Sequence, residues 1–170
     1  MDIILAVDNN WNIGKDGELL LSIPEDLERF KTITKGHLVV MGRKTFDSLP
    51  VKPLPDRHNI VITSHGEDLP EGVFSYPSIE VFLGDLNQFV LNNFVAGWFP
   101  NLYIIGGGSL VTQMLPYCEK ALITKINHEF EGADVSIPNL DELEGWQLSI
   151  KSTDMEYEGY IFNYLLYTRT

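Results

Sequence analysis

Residues 38–46 read Leu-Val-Val-Met-Gly-Arg-Lys-Thr-Phe, and this stretch decides the fold class. Four apolar residues in a row, with no alternation, suit a strand buried on both faces. Gly42 stops the strand, and the residues through Phe46 suit a short helix. The same unit returns downstream. Leu102-Tyr103-Ile104-Ile105 runs into Gly106-Gly107-Gly108, and a helix from Ser109 to about Leu115 follows. Repeated strand–glycine–helix units predict a parallel sheet with helices packed on it.

The flanking sequence extends the pattern. Ile3–Val7, Ile60–Ile62 and Leu122–Ile126 are further buried strands, and Val73-Phe74 begins another. Pro24 opens a helix that runs to about Lys35, with Gly36 as its stop. Ser78 caps a helix through about Asn92. Residues 9–21, with Asn9-Asn10-Trp11 and Gly14-Lys15-Asp16-Gly17, form a polar loop. The end of the chain differs: Trp146–Lys151 and Tyr157–Tyr167 suit long antiparallel strands. The expectation is an α/β fold and a single domain over residues 1–170. Its mostly parallel eight-stranded sheet has an antiparallel C-terminal edge and helices on both faces.

Composition narrows the function. The 24 acidic and 12 basic residues give a net charge of −12, which repels a phosphate backbone and argues against nucleic-acid partners. Cys118 is the only cysteine, so neither an internal disulfide nor a thiolate zinc site is expected. His37, His58, His65 and His128 are scattered, Asp8, Asp16 and Asp26 lack metal-ligand spacing, and no serine sits in a nucleophile elbow. No metal is expected. The apolar run Ile3–Val7 is too short for a signal peptide and has no basic leader, and no run approaches membrane-spanning length. A cytoplasmic protein, monomeric and free of membrane contacts, is expected.

One acidic residue is out of place. On a helical wheel Ile23, Leu27, Phe30 and Ile33 share a stripe, while Glu25, Glu28, Lys31 and Lys35 fall opposite. Asp26 lies inside the apolar arc. It either favours the helix dipole from the first turn, with its side chain angled to solvent, or lines a pocket. In a pocket it would accept two parallel hydrogen bonds from a planar N–C–N group, as pterins and pyrimidines offer. The two glycine-ended strands admit two readings as well. They are tight turns, or places where backbone amides approach a phosphate. Arg43-Lys44 and Ser64-His65 are a solvated pair and a strand end, or together a binding corner for a 2′-phosphate.

Taken together, the chain resembles the dihydrofolate reductase family along nearly its whole length. The matching blocks are Leu5-Ala6-Val7, Ile13-Gly14, Ile23–Leu27 with Phe30-Lys31, Val40–Phe46 with Ser48, and Pro53–Arg57 with Asn59-Ile60-Val61. Ile104–Gly108, Leu122–Ile126 and Glu131–Asp134 match too. The resemblance implies reduction of 7,8-dihydrofolate by NADPH. A hydride would pass from nicotinamide C4 to pterin C6, with protonation at N5 through water. Asp26 would bind the pterin 2-amino group and N3, supported by Thr124. Ile4, Leu5, Ala6, Leu27, Phe30, Leu49, Leu54 and Ile105 would line the substrate pocket, and Arg57 would pair with the glutamate α-carboxylate. Ala6, Ile13, Gly14, Gly106, Gly107 and Gly108 would meet the nicotinamide half of the cofactor. Gly42, Arg43, Lys44, Thr45, Thr63 and Ser64 would hold the adenosine end and its phosphates, and Ser109 and Leu110 would complete the cofactor set. The Gly106–Gly107 peptide would be cis, the 9–21 loop would close over the site, and antifolate inhibitors would bind.

Two departures from the family pattern stand out. Leu20-Leu21 stands where Pro-Trp is usual, and Val111 where Tyr is common. Both remove a polar handle near the reaction centre. Two further readings stay open: the related riboflavin-pathway pyrimidine reductase, and a module that binds without turnover.

Overall fold

A computed structural model describes residues 1–170. In chain order the strands are β1 (Asp2–Val7), β2 (Asn12–Gly14), β3 (Leu38–Gly42), β4 (His58–Ile62), β5 (Phe74–Tyr76), β6 (Leu102–Gly106), β7 (Lys120–Ile126), β8 (Val135–Ser136), β9 (Trp146–Lys151), β10 (Met155–Tyr157) and β11 (Tyr160–Arg169). The α-helices are α1 (Pro24–Thr34), α2 (Arg43–Ser48), α3 (Ile79–Asn93) and α4 (Gly108–Met114). Eight strands run in the order β10-β11-β7-β1-β6-β3-β4-β5. Every pairing from β7 to β5 is parallel, and β11 joins β7 antiparallel. β9 pairs with the far half of β11, so β9 and β10 share its outer edge. β2 and β8 form a separate two-stranded ribbon.

The continuous apolar runs have become the central strands. Leu38, Val39, Val40 and Met41 are all buried, as are Ile3, Ile60 and Ile104. Two sequence expectations need correction. Trp11 does not sit in an exposed polar loop. It is 2% exposed, at φ 61°, with its ring edge-on to Tyr167 and the Lys125 ammonium 4.2 Å from its centre. Tyr157–Tyr167 is also not one strand. Glu158 (φ 49°) and Gly159 (φ 83°) form a two-residue turn between β10 and β11, the left-handed pair that tight hairpins require.

The two faces of the sheet are filled unequally. α3 and α4 press Phe82, Phe89, Leu110, Val111 and Met114 into a core of 23 buried residues. The opposite face, under α1 and α2, holds only two small clusters. Val39, Met41, Phe46 and Val61 pack over β3 and β4, and Ile23, Ile126 and Phe162 over β7 and β11. β1 and β6 lie between them in the sheet. The strip above those two strands lacks a buried cluster of its own, and we read it as the floor of a cleft between the two clusters.

Candidate active site

The apolar stripe of α1 borders this cleft. Ile23, at the helix start, is 2% exposed, but Leu27 is 45% exposed and Phe30 and Ile33 are half-buried. Only Thr34 of the helix proper is buried. A helix of this composition normally seats its stripe on a core; here most of the stripe faces open space over the sheet.

Asp26 stands on that face. It is half-buried, and Thr124 Oγ1 donates to its Oδ1 at 2.5 Å. Thr124 is on β7, in register with Ala6 of β1 and Tyr164 of β11. Burial pushes the Asp26 carboxyl above its ordinary value, with Glu25 adding to the rise, while the Thr124 hydrogen bond and the Arg29 charge oppose it. The solvent-angled geometry is therefore not the one adopted.

Strand alternation sorts the remaining apolar positions. Ile4 and Ala6 share the cleft face of β1, whereas Leu5 turns to the other face and packs on the larger core. Expecting a Leu5 side chain in the pocket was wrong, and only its backbone lies on this strip. Ile105, Leu49 and Leu54 pack around the smaller cluster of β3 and α2. Arg57 is fixed at the far end of α1: its Nε donates to Pro55 O at 2.8 Å and its Nη1 to Thr34 Oγ1 at 3.3 Å, with the guanidinium 5.8 Å from the Phe30 ring centre. Arginine has five N–H donors, so three remain.

The two glycine turns meet at the C-terminal ends of β3 and β6. The Gly106–Gly107 peptide is cis, and Gly106 has φ 136°. Thr45 packs against this turn, since a β-carbon on Gly106 would lie 3.2 Å from its Oγ1. Gly42 is adjacent; a β-carbon there would lie 3.8 Å from Gly107 N. Nearby, Arg43 Nη1 donates to His65 O at 3.0 Å, Ser64 Oγ meets His65 Nδ1 at 3.0 Å, and Thr63 Oγ1 accepts from His65 N. Arg43 also forms the one ion pair of the molecule, with Asp47 at 3.0 Å, while Lys44 is exposed. Ser109 is exposed at the start of α4, but the Leu110 side chain is buried in the larger core and leaves only its backbone for a ligand. Ile13 packs on that core, and Gly14 is buried in β2.

The loop after β1 is anchored by contacts for which the sequence pointed to no role. Asp8 is fully buried and accepts from the amides of Asn10, Asn12 and Phe130 and from Asn12 Nδ2. Asp134 Oδ2 accepts from Asp16 N, and Lys15 Nζ donates to Glu131 O. The run Asp8-Asn9-Asn10 after a strand was a legible signal for such a turn. Leu21 packs beside the Ile23–Ile126–Phe162 cluster, and Val111 is wholly buried in the larger core.

The sequence model of the dihydrofolate reductase family matches residues 1–169. The chain belongs to the dihydrofolate reductase family. Members of this family are NADP-dependent oxidoreductases. The chain is 39% identical to the dihydrofolate reductase of Bacillus subtilis (strain 168) over 171 residues, covering 99% of this chain and 94% of that protein. It is 32% identical to the dihydrofolate reductase of Staphylococcus haemolyticus over 170 residues, covering 99% and 95%. Among solved structures, dihydrofolate reductase from Enterococcus faecalis complexed with NADP(H) and RAB-propyl superposes with a TM-score of 0.81 at 31% identity, covering 99% of this chain and 95% of that one.

Proposed function

We propose that this member of the family reduces 7,8-dihydrofolate to 5,6,7,8-tetrahydrofolate with NADPH, with Asp26 anchoring the pterin. One observation carries the reading. A half-buried carboxylate, held by Thr124, projects from a helix whose apolar face borders an unfilled strip of sheet. A carboxylate so placed suits a planar, amidine-like edge, because two parallel N–H donors satisfy it as water would have done. The Asp26 charge favours the pterin form that carries the extra proton, and N5 takes its proton from water.

The donor set fits NADPH. Gly42, Gly106 and Gly107 present backbone without side chains, and beside them Thr45, Thr63, Ser64, Arg43 and Lys44 supply hydroxyl and cationic donors for phosphate. Ala6, Ile13, Gly14, Gly108, Ser109 and the Leu110 backbone complete the cofactor side. When bound, NADPH supplies the hydride that passes from nicotinamide C4 to pterin C6. Ile4, Ala6, Leu27, Phe30, Leu49, Leu54 and Ile105 hold the substrate ring system and exclude water. The three spare donors of Arg57 meet a carboxylate on the substrate tail. Antifolates with the same N–C–N edge bind at Asp26 in place of substrate.

Purified protein with dihydrofolate and NADPH should lose nicotinamide absorbance at 340 nm; no loss overturns the reading. Arg57→Ala should raise the KM for dihydrofolate at least about tenfold, since a charge-assisted pair contributes roughly 1.5–3 kcal/mol. An unchanged KM removes Arg57 from the tail site and favours a substrate without a tail carboxylate.

A further inference from the structure

Arg29 is not among the residues expected to touch substrate or cofactor, yet it stands one turn from Asp26 on the same helix. It lies three residues after Asp26 on α1, a spacing that puts the two side chains on neighbouring positions of one helix face. Its guanidinium carbon sits 4.0 Å above the centre of the Tyr164 ring. Tyr164, on β11, is directly opposite Thr124 on β7. Thr124 in turn donates to Asp26. Two contacts, Thr124 with Asp26 and Arg29 with Tyr164, thus tie one face of α1 to the paired strands β7 and β11.

Two details bear on what Arg29 does there. It makes no ion pair within 4.0 Å, although Glu25 lies one turn earlier on the same helix. The Tyr164 hydroxyl is buried and has no hydrogen-bond partner, so that side chain contributes the face of its ring. An arginine stacked on an aromatic face is held at low entropic cost, and its charge stays at a fixed position.

We propose that Arg29 is a positioning residue for Asp26: stacked on Tyr164, it supplies the positive field that keeps the Asp26 carboxylate ionised in its half-buried site. The groups around that carboxylate are few. From α1 come Glu25, which opposes ionisation, and Arg29, which favours it. From β7 comes the Thr124 hydroxyl, and from β11 Tyr164, whose own phenol is raised by burial and by the nearby Asp26 and Glu25 charges. Arg29 is the only cation of the set. The inference builds on the reading of Asp26 as the substrate anchor, but its test does not need substrate.

The test is a carbon-13 NMR titration of the aspartate carboxyls in the intact, ligand-free protein, with Asp26→Asn identifying the Asp26 signal. Arg29→Met keeps an apolar stem and removes the charge; the Asp26 midpoint should move up. Arg29→Lys keeps the charge and should leave the midpoint closer to wild type than Arg29→Met does. Tyr164→Leu releases the guanidinium from its platform and should also raise the midpoint, whereas Tyr164→Phe keeps the ring and should not. An unmoved midpoint in Arg29→Met, or equal movement in the Met and Lys variants, overturns the proposal. Because no substrate is present, the midpoint reports on Arg29 even in a protein inactive on dihydrofolate. An active protein with an unmoved midpoint sinks this inference alone.

Discussion

Asp26 carries opposite consequences for stability and for turnover. Its folded-state pKa is raised by burial, so in the range just above the usual carboxylate value the folded chain binds more protons than the unfolded one. Stability from this group is fully present at acid pH and is lost as pH rises through the folded-state value. Asp26→Asn keeps an acceptor for Thr124 and removes the buried charge. The variant should therefore melt higher than wild type at pH 7, with the difference closing toward pH 3. Turnover at pH 7 should fall by about 100-fold or more, the scale of losing a preorganised electrostatic contact. Thermal melts and steady-state rates across pH check both halves; a variant that melts lower at neutral pH contradicts the first. Asp26 was legible because one charge broke a 3.6-residue pattern. Arg29 was not, because its meaning depends on Tyr164, which a different strand brings to it.

At the level of elements, the ribbon of β2 and β8 is where small changes should matter. A β-carbon on Gly108 would lie 2.5 Å from Ser136 O and 2.9 Å from Val135 Cγ1, so β8 passes against the first turn of α4 with room only for hydrogen. Gly108→Ala should push β8 away at a cost of roughly 1–3 kcal/mol, read as a Tm lower by about 3–10 °C. Asp8→Asn places an amide nitrogen or a single acceptor where three backbone amides and Asn12 Nδ2 now converge. It should cost about 1–3 kcal/mol in denaturant melts; a loss below about 0.5 kcal/mol would leave the Asp8 network without energetic weight. The central strands and the helix starts at Pro24 and Ser78 were readable, because continuous apolar runs and caps are local signals. The turn at Glu158-Gly159 was read through because both flanks are aromatic and apolar, which hid a two-residue hairpin inside one long run. The side taken by Leu5 follows from strand alternation but needs the register, which no local pattern supplies.

For the molecule as a whole, charge is the unbalanced quantity. A chain of net charge −12 has one ion pair, Arg43–Asp47, and that pair is partly exposed. Salt therefore screens much repulsion and little attraction. Raising sodium chloride from about 0.01 M to about 0.5 M should raise the Tm; a falling Tm would mean that attractive pairs beyond 4.0 Å dominate.

The order of strands also has a temporal side. Ile3 of β1 is in register with Ile104 of β6 and with Ala121 of β7, both more than a hundred residues downstream. Ribosomes add roughly 5–20 residues per second. This central strand, paired on both edges, thus leaves the ribosome about 5–20 s before either neighbour exists. During that interval an unpaired Ile-Ile-Leu-Ala-Val segment is exposed to whatever can bind it. A strand that ends paired on both edges begins with neither partner, and a nascent-chain chaperone would find a handle there.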